Sequence, residues 1–247
     1  MSTQGFKEFS FGHGDEHVGV KSKRWKGEQG NTYRFSFINF PGVEKGKPDL
    51  DQEGPKFIGA YTHYIPGAGY IVNKGAEYTK LAGEPPRSRI ATVIVVWPTD
   101  RQGNINKARV AEGEIDVRAW VFSDDKYKTL NQINKEFPFG HHDVTANVSD
   151  TQYQKMTISP CKESLLRALM ANPKATDIIA RVLSEAQDIA ANLNSEVGVE
   201  MTIEQIRAKM TGAAGAAGGP AKPATGASSV PAVTGDVDGL LDNILDT

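Results

Sequence analysis

The stretch that most constrains this chain is RIATVIVVW, residues 89–97. It is a near-continuous run of apolar and β-branched side chains. A run of this kind has no polar face to leave in water, so it predicts a central strand covered on both faces. Such a strand needs partners, and the surrounding sequence supplies them. YRFSFINF (33–40) is aromatic and alternating. FIGAYTHYI (57–65) and GYIVN (69–73) flank the turn signal PGAG and predict a hairpin. After the turn TDRQGN (99–104), EIDVRAWVF (114–122) alternates again, and HDVTANV (142–148) with QKMTISP (154–160) predicts a last strand pair. Between them, DDKYKTLNQINKEF (124–137) changes period: Tyr127, Leu130, Ile133 and Phe137 recur at helical spacing, with Asp124 as N-cap and Pro138 as terminator.

Past Pro160 the β signal stops. Helices are expected over 163–170, 175–198 (capped by Thr176 and ending near Gly198) and 201–210 (capped by Thr202, with Glu204 in its first turn). The fold class is therefore mostly β with an α-helical C-terminal appendix. Five or six short strands with one late inserted helix suit an OB-type barrel. They equally suit a sandwich, and periodicity alone does not choose. The expected organisation is a flexible N-terminal segment (1–17), an OB-fold core (18–162), the helical appendix (163–210), a disordered Gly/Ala-rich linker (211–234) and an acidic tip (235–247).

Composition excludes several classes. Cys161 is the only cysteine, so neither a disulfide framework nor a cysteine-based metal cluster is available. No apolar stretch approaches the ~20 residues that span a bilayer. The opening residues MSTQGFKEFSFGHGDEH have no apolar core of the signal-peptide type. The expectation is a soluble intracellular protein without membrane contact. Catalytic motifs are missing: there is no GxSxG, P-loop or GxGxxG. His13 and His17 stand four apart, but Gly12 and Gly14 argue against the helix that would bring their imidazoles together. His141 and His142 are adjacent, and on a strand they point to opposite faces. No metal, no cofactor and no catalytic residue is expected, and the chain is read as not an enzyme.

Charge points elsewhere. Residues 18–110 carry 15 Lys and Arg against 8 Asp and Glu, a local charge of +7. The cations interleave with aromatics, in KSKRWK (21–26), around Arg34, beside Phe57 and through the hairpin. A flexible single strand asks for this combination. Lys and Arg neutralise phosphates and release counterions, while aromatic faces stack on any exposed base at ~1–3 kcal/mol each. The candidate phosphate-binding residues are Lys21, Lys23, Arg24, Arg34, Lys56, Lys74, Arg87 and Arg89. The candidate base-stacking residues are Trp25, Tyr61, Tyr64 and Tyr70.

The chain closes on GDVDGLLDNILDT (235–247), after 24 residues (211–234) whose only charge is Lys222. As a flexible coil that tether reaches roughly 27 Å. On a helix, Leu240, Leu241, Ile244 and Leu245 share one face, with Asp236, Asp238, Asp242 and Asp246 supplying charge. Alone the tip is too short to hold a helix, but docked on a basic, apolar groove it has the pattern to fold. A solubilising tail would not need the four aliphatics.

Together the basic aromatic core, late helix, helical appendix, tether and D-x-D-x-L-L-x-x-x-L tip resemble the T-even phage single-stranded-DNA-binding proteins (gene 32 product type, helix-destabilising). DVDGLLDNILD carries the tip. HYIPGAGYIVN, RIATVIVVWPTDRQGN, EIDVRAWVFSDDKYKTLNQI and DVTANVSDTQYQKMTIS follow the family's hairpin, central strand, strand-then-helix and closing hairpin in order. The resemblance covers about residues 30–165 and the C-terminal end. It implies an OB-fold that coats and protects single-stranded DNA without sequence specificity during replication, recombination and repair, in the cytoplasm of an infected bacterium. It also implies cooperative self-association on DNA and recruitment of replisome and recombination proteins through the tip. The family's zinc subdomain has no counterpart: NKGAEYTKLAGEPPRSR contains neither cysteine nor histidine. KSKR (21–24) only faintly echoes the family's N-terminal basic segment. The competing expectations are a virion structural or assembly protein with a partner-docking tail, and a phosphodiester enzyme.

Overall fold

The computed structural model describes residues 23–150 and 155–215. Lys21, the paired histidines of 13–17 and the whole acidic tip lie outside the described residues.

Among the described residues, seven strands form one antiparallel sheet: β1 (Thr32–Phe37), β2 (Ile58–Ile65), β3 (Gly69–Val72), β4 (Arg87–Trp97), β5 (Asp116–Phe122), β6 (Val144–Val148) and β7 (Met156–Pro160). The order is β3-β2-β4-β1-β6-β7, with β5 on β4 off this path. The apolar run 89–97 is its centre, starting two residues earlier than expected. Ala91, Val93, Ile94 and Val95 are wholly buried. β2 pairs with Arg87–Ala91 and β1 with Ile94–Trp97, while β5 pairs with Ile90–Val96. Since β5 overlaps both registers, β1 and β2 lie end to end along the opposite edge. The ladder is open. Residues 23–25 extend the outer edge of β5 through Trp25 N–H to Ala119 O (2.8 Å) and Ala119 N–H to Lys23 O (3.0 Å). A few residues on, Gly30 N–H donates to Val148 O of β6 (2.9 Å), so 23–31 spans from one side of the sheet to the other.

One core is aromatic. Trp25, Phe35 and Trp120 meet edge-on or tilted, and Phe37 stacks on Phe139 at 4.2 Å. Helices cover the sheet: α1 (Ala76–Ala82), α2 (Lys107–Ala111), α3 (Asp124–Glu136), α4 (Leu165–Met170), α5 (Thr176–Ala191), α6 (Leu193–Val197) and α7 (Ile203–Gly215). Val182, Ala186, Ile189, Leu193 and Val197, the buried stripe of α5 and α6, belong to the same core as the strands. A sequence boundary at 162/163 is thus not a boundary in packing. The expected helix 175–198 breaks at Asn192, whose side-chain amide donates to Asp188 O (2.9 Å), a local competitor for helical bonding. α7 starts as expected: Thr202 Oγ1 accepts from Gln205 N–H and Gln205 Oε1 accepts from Thr202 N–H, a reciprocal capping box. It then runs to Gly215, five residues into the stretch read as linker. α1 and α2 escaped the sequence reading, being seven and five residues long with at most one buried side chain each.

A second, smaller core joins Ile65, Ile71 and Ile206, with Tyr78, Val199 and Met201 against it. It holds the β2–β3 hairpin to α1 and α7. Val199 also exchanges backbone hydrogen bonds with Tyr70 and Val72, covering the exposed edge of β3.

Candidate nucleic-acid interface

A cleft of about 300 Å³ lies between the β2–β3 hairpin and the end of β5. Sequence explains its first wall. PGAG turns with Gly67 and Gly69 at φ +83° and +84°, a conformation L side chains rarely adopt. That turn sets Tyr64 opposite Tyr70, with ring centroids 5.1 Å apart and planes at 59°. Both rings are exposed, Tyr64 at 53% and Tyr70 at 42%.

The start of β4 supplies the second wall. The Arg89 guanidinium lies over the Tyr70 ring, 3.4 Å from its centroid, a cation–π contact. Its Nη2 donates to Glu196 O (2.8 Å). Arg24 Nη2 donates to the same carbonyl at 2.8 Å, and the Glu196 carboxylate stands 3.3 Å from it. Since Arg89 occupies one face of Tyr70, Tyr64 offers the more available stacking surface. At the mouth, Arg87 is paired with Glu84 (3.1 Å) and remains largely exposed.

β5 and α3 close the third side with Trp120, Phe122, Ser123 and Lys126. No motif in the sequence marks Lys126 out, because it sits in a segment dominated by core spacing. The available signal was its place in the first turn after a strand, where a helix projects from the sheet end. Burial pushes its ammonium below the usual lysine range, opposed by the nearby Asp150 and Asp125. Arg24 Nε and Trp120 Nε1 are buried donors without a protein hydrogen-bond acceptor among the described residues. The lining therefore combines four cationic side chains, two of them backed by Glu196, with two exposed tyrosines and two unanswered donors.

The other expected contacts fall elsewhere. Trp25 is 5% exposed and meets Tyr33, Phe35 and Trp120 edge-on, so it has no face to offer a base. This corrects its assignment to stacking: an aromatic beside basic residues was needed by the core. Arg34 is likewise engaged inside the fold and not a phosphate contact. Its Nε donates to the fully buried Asp143 (2.9 Å) and its Nη2 to Glu163 O (3.1 Å), leaving it an internal tie. Tyr61 is half-exposed but alternates with Thr62 along β2 and does not line the cleft. Lys23, Lys56 and Lys74 lie outside the cleft, each ion-paired on the surface: with Glu185 (3.6 Å), Glu44 (3.5 Å) and Glu200 (2.5 Å). Lys21 and the tip residues lie outside the described residues.

Among the described residues no group of three or more His, Cys, Asp or Glu is gathered as metal ligands would be. His141 faces Asp51 (3.5 Å) while His142 Nδ1 is 3.0 Å from Cys161 O, so the adjacent histidines diverge. Burial pushes the Cys161 thiol up to about 11, away from nucleophilic character at neutral pH. No helix among the described residues is long and apolar enough to cross a membrane. Comparison with protein families, with curated proteins and with solved structures finds no match for this chain.

Proposed function

We propose that this chain is a non-enzymatic single-strand nucleic-acid-binding protein, with the hairpin cleft as its binding site. The observation that carries this reading is the Tyr64–Tyr70 pair with Arg89 behind it, set among Arg24, Arg87 and Lys126. Bases stack on exposed tyrosine rings, and guanidinium and ammonium groups neutralise the phosphates between them. Stacking accepts any base, so binding tolerates any sequence.

More particularly, the chain is proposed to be a single-stranded-DNA-binding protein of the T-even phage type. It coats and protects single strands during replication, recombination and repair, and displays its acidic tip to replisome partners. Two features support the finer reading of the core as an OB-type barrel. β4 is shared along its length by β1 and β2 on one edge and β5 on the other. Segment 23–31 spans from β5 to β6 across the open side. Cooperative self-association on DNA belongs to the same proposal.

The test is fluorescence anisotropy of a labelled oligo-dT and of a duplex of equal length, titrated at several salt concentrations. A label on the DNA is needed because Trp25, Trp97 and Trp120 are all buried. Binding of the single strand alone, weakening steeply as salt rises, is expected. Equal duplex binding, or no binding of oligo-dT at low salt, removes the proposal.

A further inference from the structure

Glu196 joins the helical appendix to the cleft in an unusual way. It sits in the last turn of α6, which is held by the buried Leu193 and Val197. Its main-chain carbonyl accepts from both Arg24 and Arg89 at 2.8 Å. Its carboxylate stands 3.3 Å from Arg24, with the two side chains only 22% and 16% exposed. The carbonyl orients the guanidiniums and the carboxylate neutralises one of them. The pair at the cleft mouth, Glu84 with Arg87, is far more exposed. Water and salt screen a pair of that kind, whereas a half-buried pair keeps its field.

We propose that Glu196 is a fixed counter-charge behind the wall of the cleft, one that an incoming phosphate must displace from Arg24. This rests on the single-strand reading and adds its regulation: the helical appendix holds the affinity down. Three observations converge. The carbonyl already positions Arg24, so the carboxylate is not needed for that task. Arg24 lines the cleft and its side chain is partly exposed, so the guanidinium is within reach of a phosphate. The carboxylate lowers the positive potential of a site suited to a polyanion, where potential governs binding. While Arg24 is neutralised by protein rather than by a phosphate, it releases no counterion on binding.

The experiment compares oligo-dT binding by wild type, Glu196→Gln, Glu196→Asp and Glu114→Gln across a salt series. Glu196→Gln preserves the shape of the side chain and removes its charge. Glu196→Asp keeps the net charge but draws the carboxylate away from Arg24. Glu114 precedes β5, at the end of that strand away from the cleft, where it pairs with Arg109, so its variant controls for a lost carboxylate and a freed cation outside the cleft. Glu196→Gln is expected to bind at least about threefold tighter at low salt, with a log–log salt slope steeper by about one. Glu196→Asp shifts the same way by less, and Glu114→Gln stays with wild type. In an Arg24→Gln background the gain disappears, as a pairwise coupling requires. If Glu196→Gln melts early, the aspartate variant and the Arg24→Gln background still decide. Wild-type binding with unchanged or weaker binding by both Glu196 variants overturns the inference alone, as does an equal gain in Glu114→Gln. Wild-type protein that leaves oligo-dT free overturns the single-strand reading and this inference with it.

Discussion

Asp143 is fully buried, and its carboxylate is a junction of the fold. Its two oxygens accept from Ser36 Oγ (2.5 Å), Arg34 Nε (2.9 Å) and Leu165 N–H (3.1 Å), and Trp97 Nε1 donates to Ser36 in turn (2.8 Å). The network ties β1, β4, β6 and α4 at one buried point. Removing one member leaves Arg34 as a largely buried charge without its carboxylate. Asp143→Ala is therefore expected to cost about 3–5 kcal/mol in urea unfolding. Cys161, close to this network, tests the burial that surrounds it. Burial raises its thiol, with Asp143 adding to the effect and Arg34 opposing it, to about 11. In the folded protein a disulfide reagent should label it slowly at pH 8 and faster as the pH approaches that value, since only the thiolate reacts. Rapid labelling at pH 8 would contradict a closed environment. In the cleft the contrast is between Tyr64 and Trp25. Tyr64→Ala should weaken oligo-dT binding by about 1–3 kcal/mol with little change in melting temperature. Trp25→Phe should lower the melting temperature and leave the affinity near wild type.

At the scale of elements, the β2–β3 hairpin carries the tyrosines, and its rigidity is borrowed. The Ile65–Ile71–Ile206 cluster clamps it to α7, with Tyr78 Oη donating to Met201 O (2.8 Å). Ile206→Ala is expected to destabilise this small core by about 2–5 kcal/mol. Amide exchange should then speed up in the hairpin and α7 before it does in β4. Uniform acceleration across the sheet would mean that the two cores open as one. A tighter constraint lies at Gly140. A Cβ there would meet Leu50 O at 1.7 Å, a backbone atom with little room to yield. Gly140→Ala should disrupt the contact between loop 38–57 and the segment after α3, and lower the yield of folded protein. Element types were readable where period and length agreed: β2, β4, β5 and α3 stand close to their expected places. α1 and α2 were not readable, because neither is long enough to show a period. The break at Asn192 was not readable because the apolar stripe continues through it.

Across the whole molecule, the charge pattern and the folded site agree only in part. Eight cations were marked from sequence, and the fold gathers Arg24, Arg87 and Arg89 into one cleft while adding Lys126. The remaining described ones are spent on Asp143, Glu185, Glu44 and Glu200. Charge-neutralising Arg87 or Lys126 should flatten the salt slope by about one each, whereas Lys56→Gln should leave it unchanged. Equal slopes for all three would mean that the strand does not run through this cleft. Local order in the sequence determined the β-rich body, the hairpin, the central strand, the late helix and the helical appendix, because periodicity and turn chemistry act between near neighbours. Which cations face a ligand, which aromatics fill the core, and that α6 reaches across 107 residues of chain to hold Arg89 were decided only by tertiary structure. A charged or aromatic side chain is equally at home in an ion pair, a core or a binding site. Only the partners that folding brings within a few ångströms determine which of these it becomes.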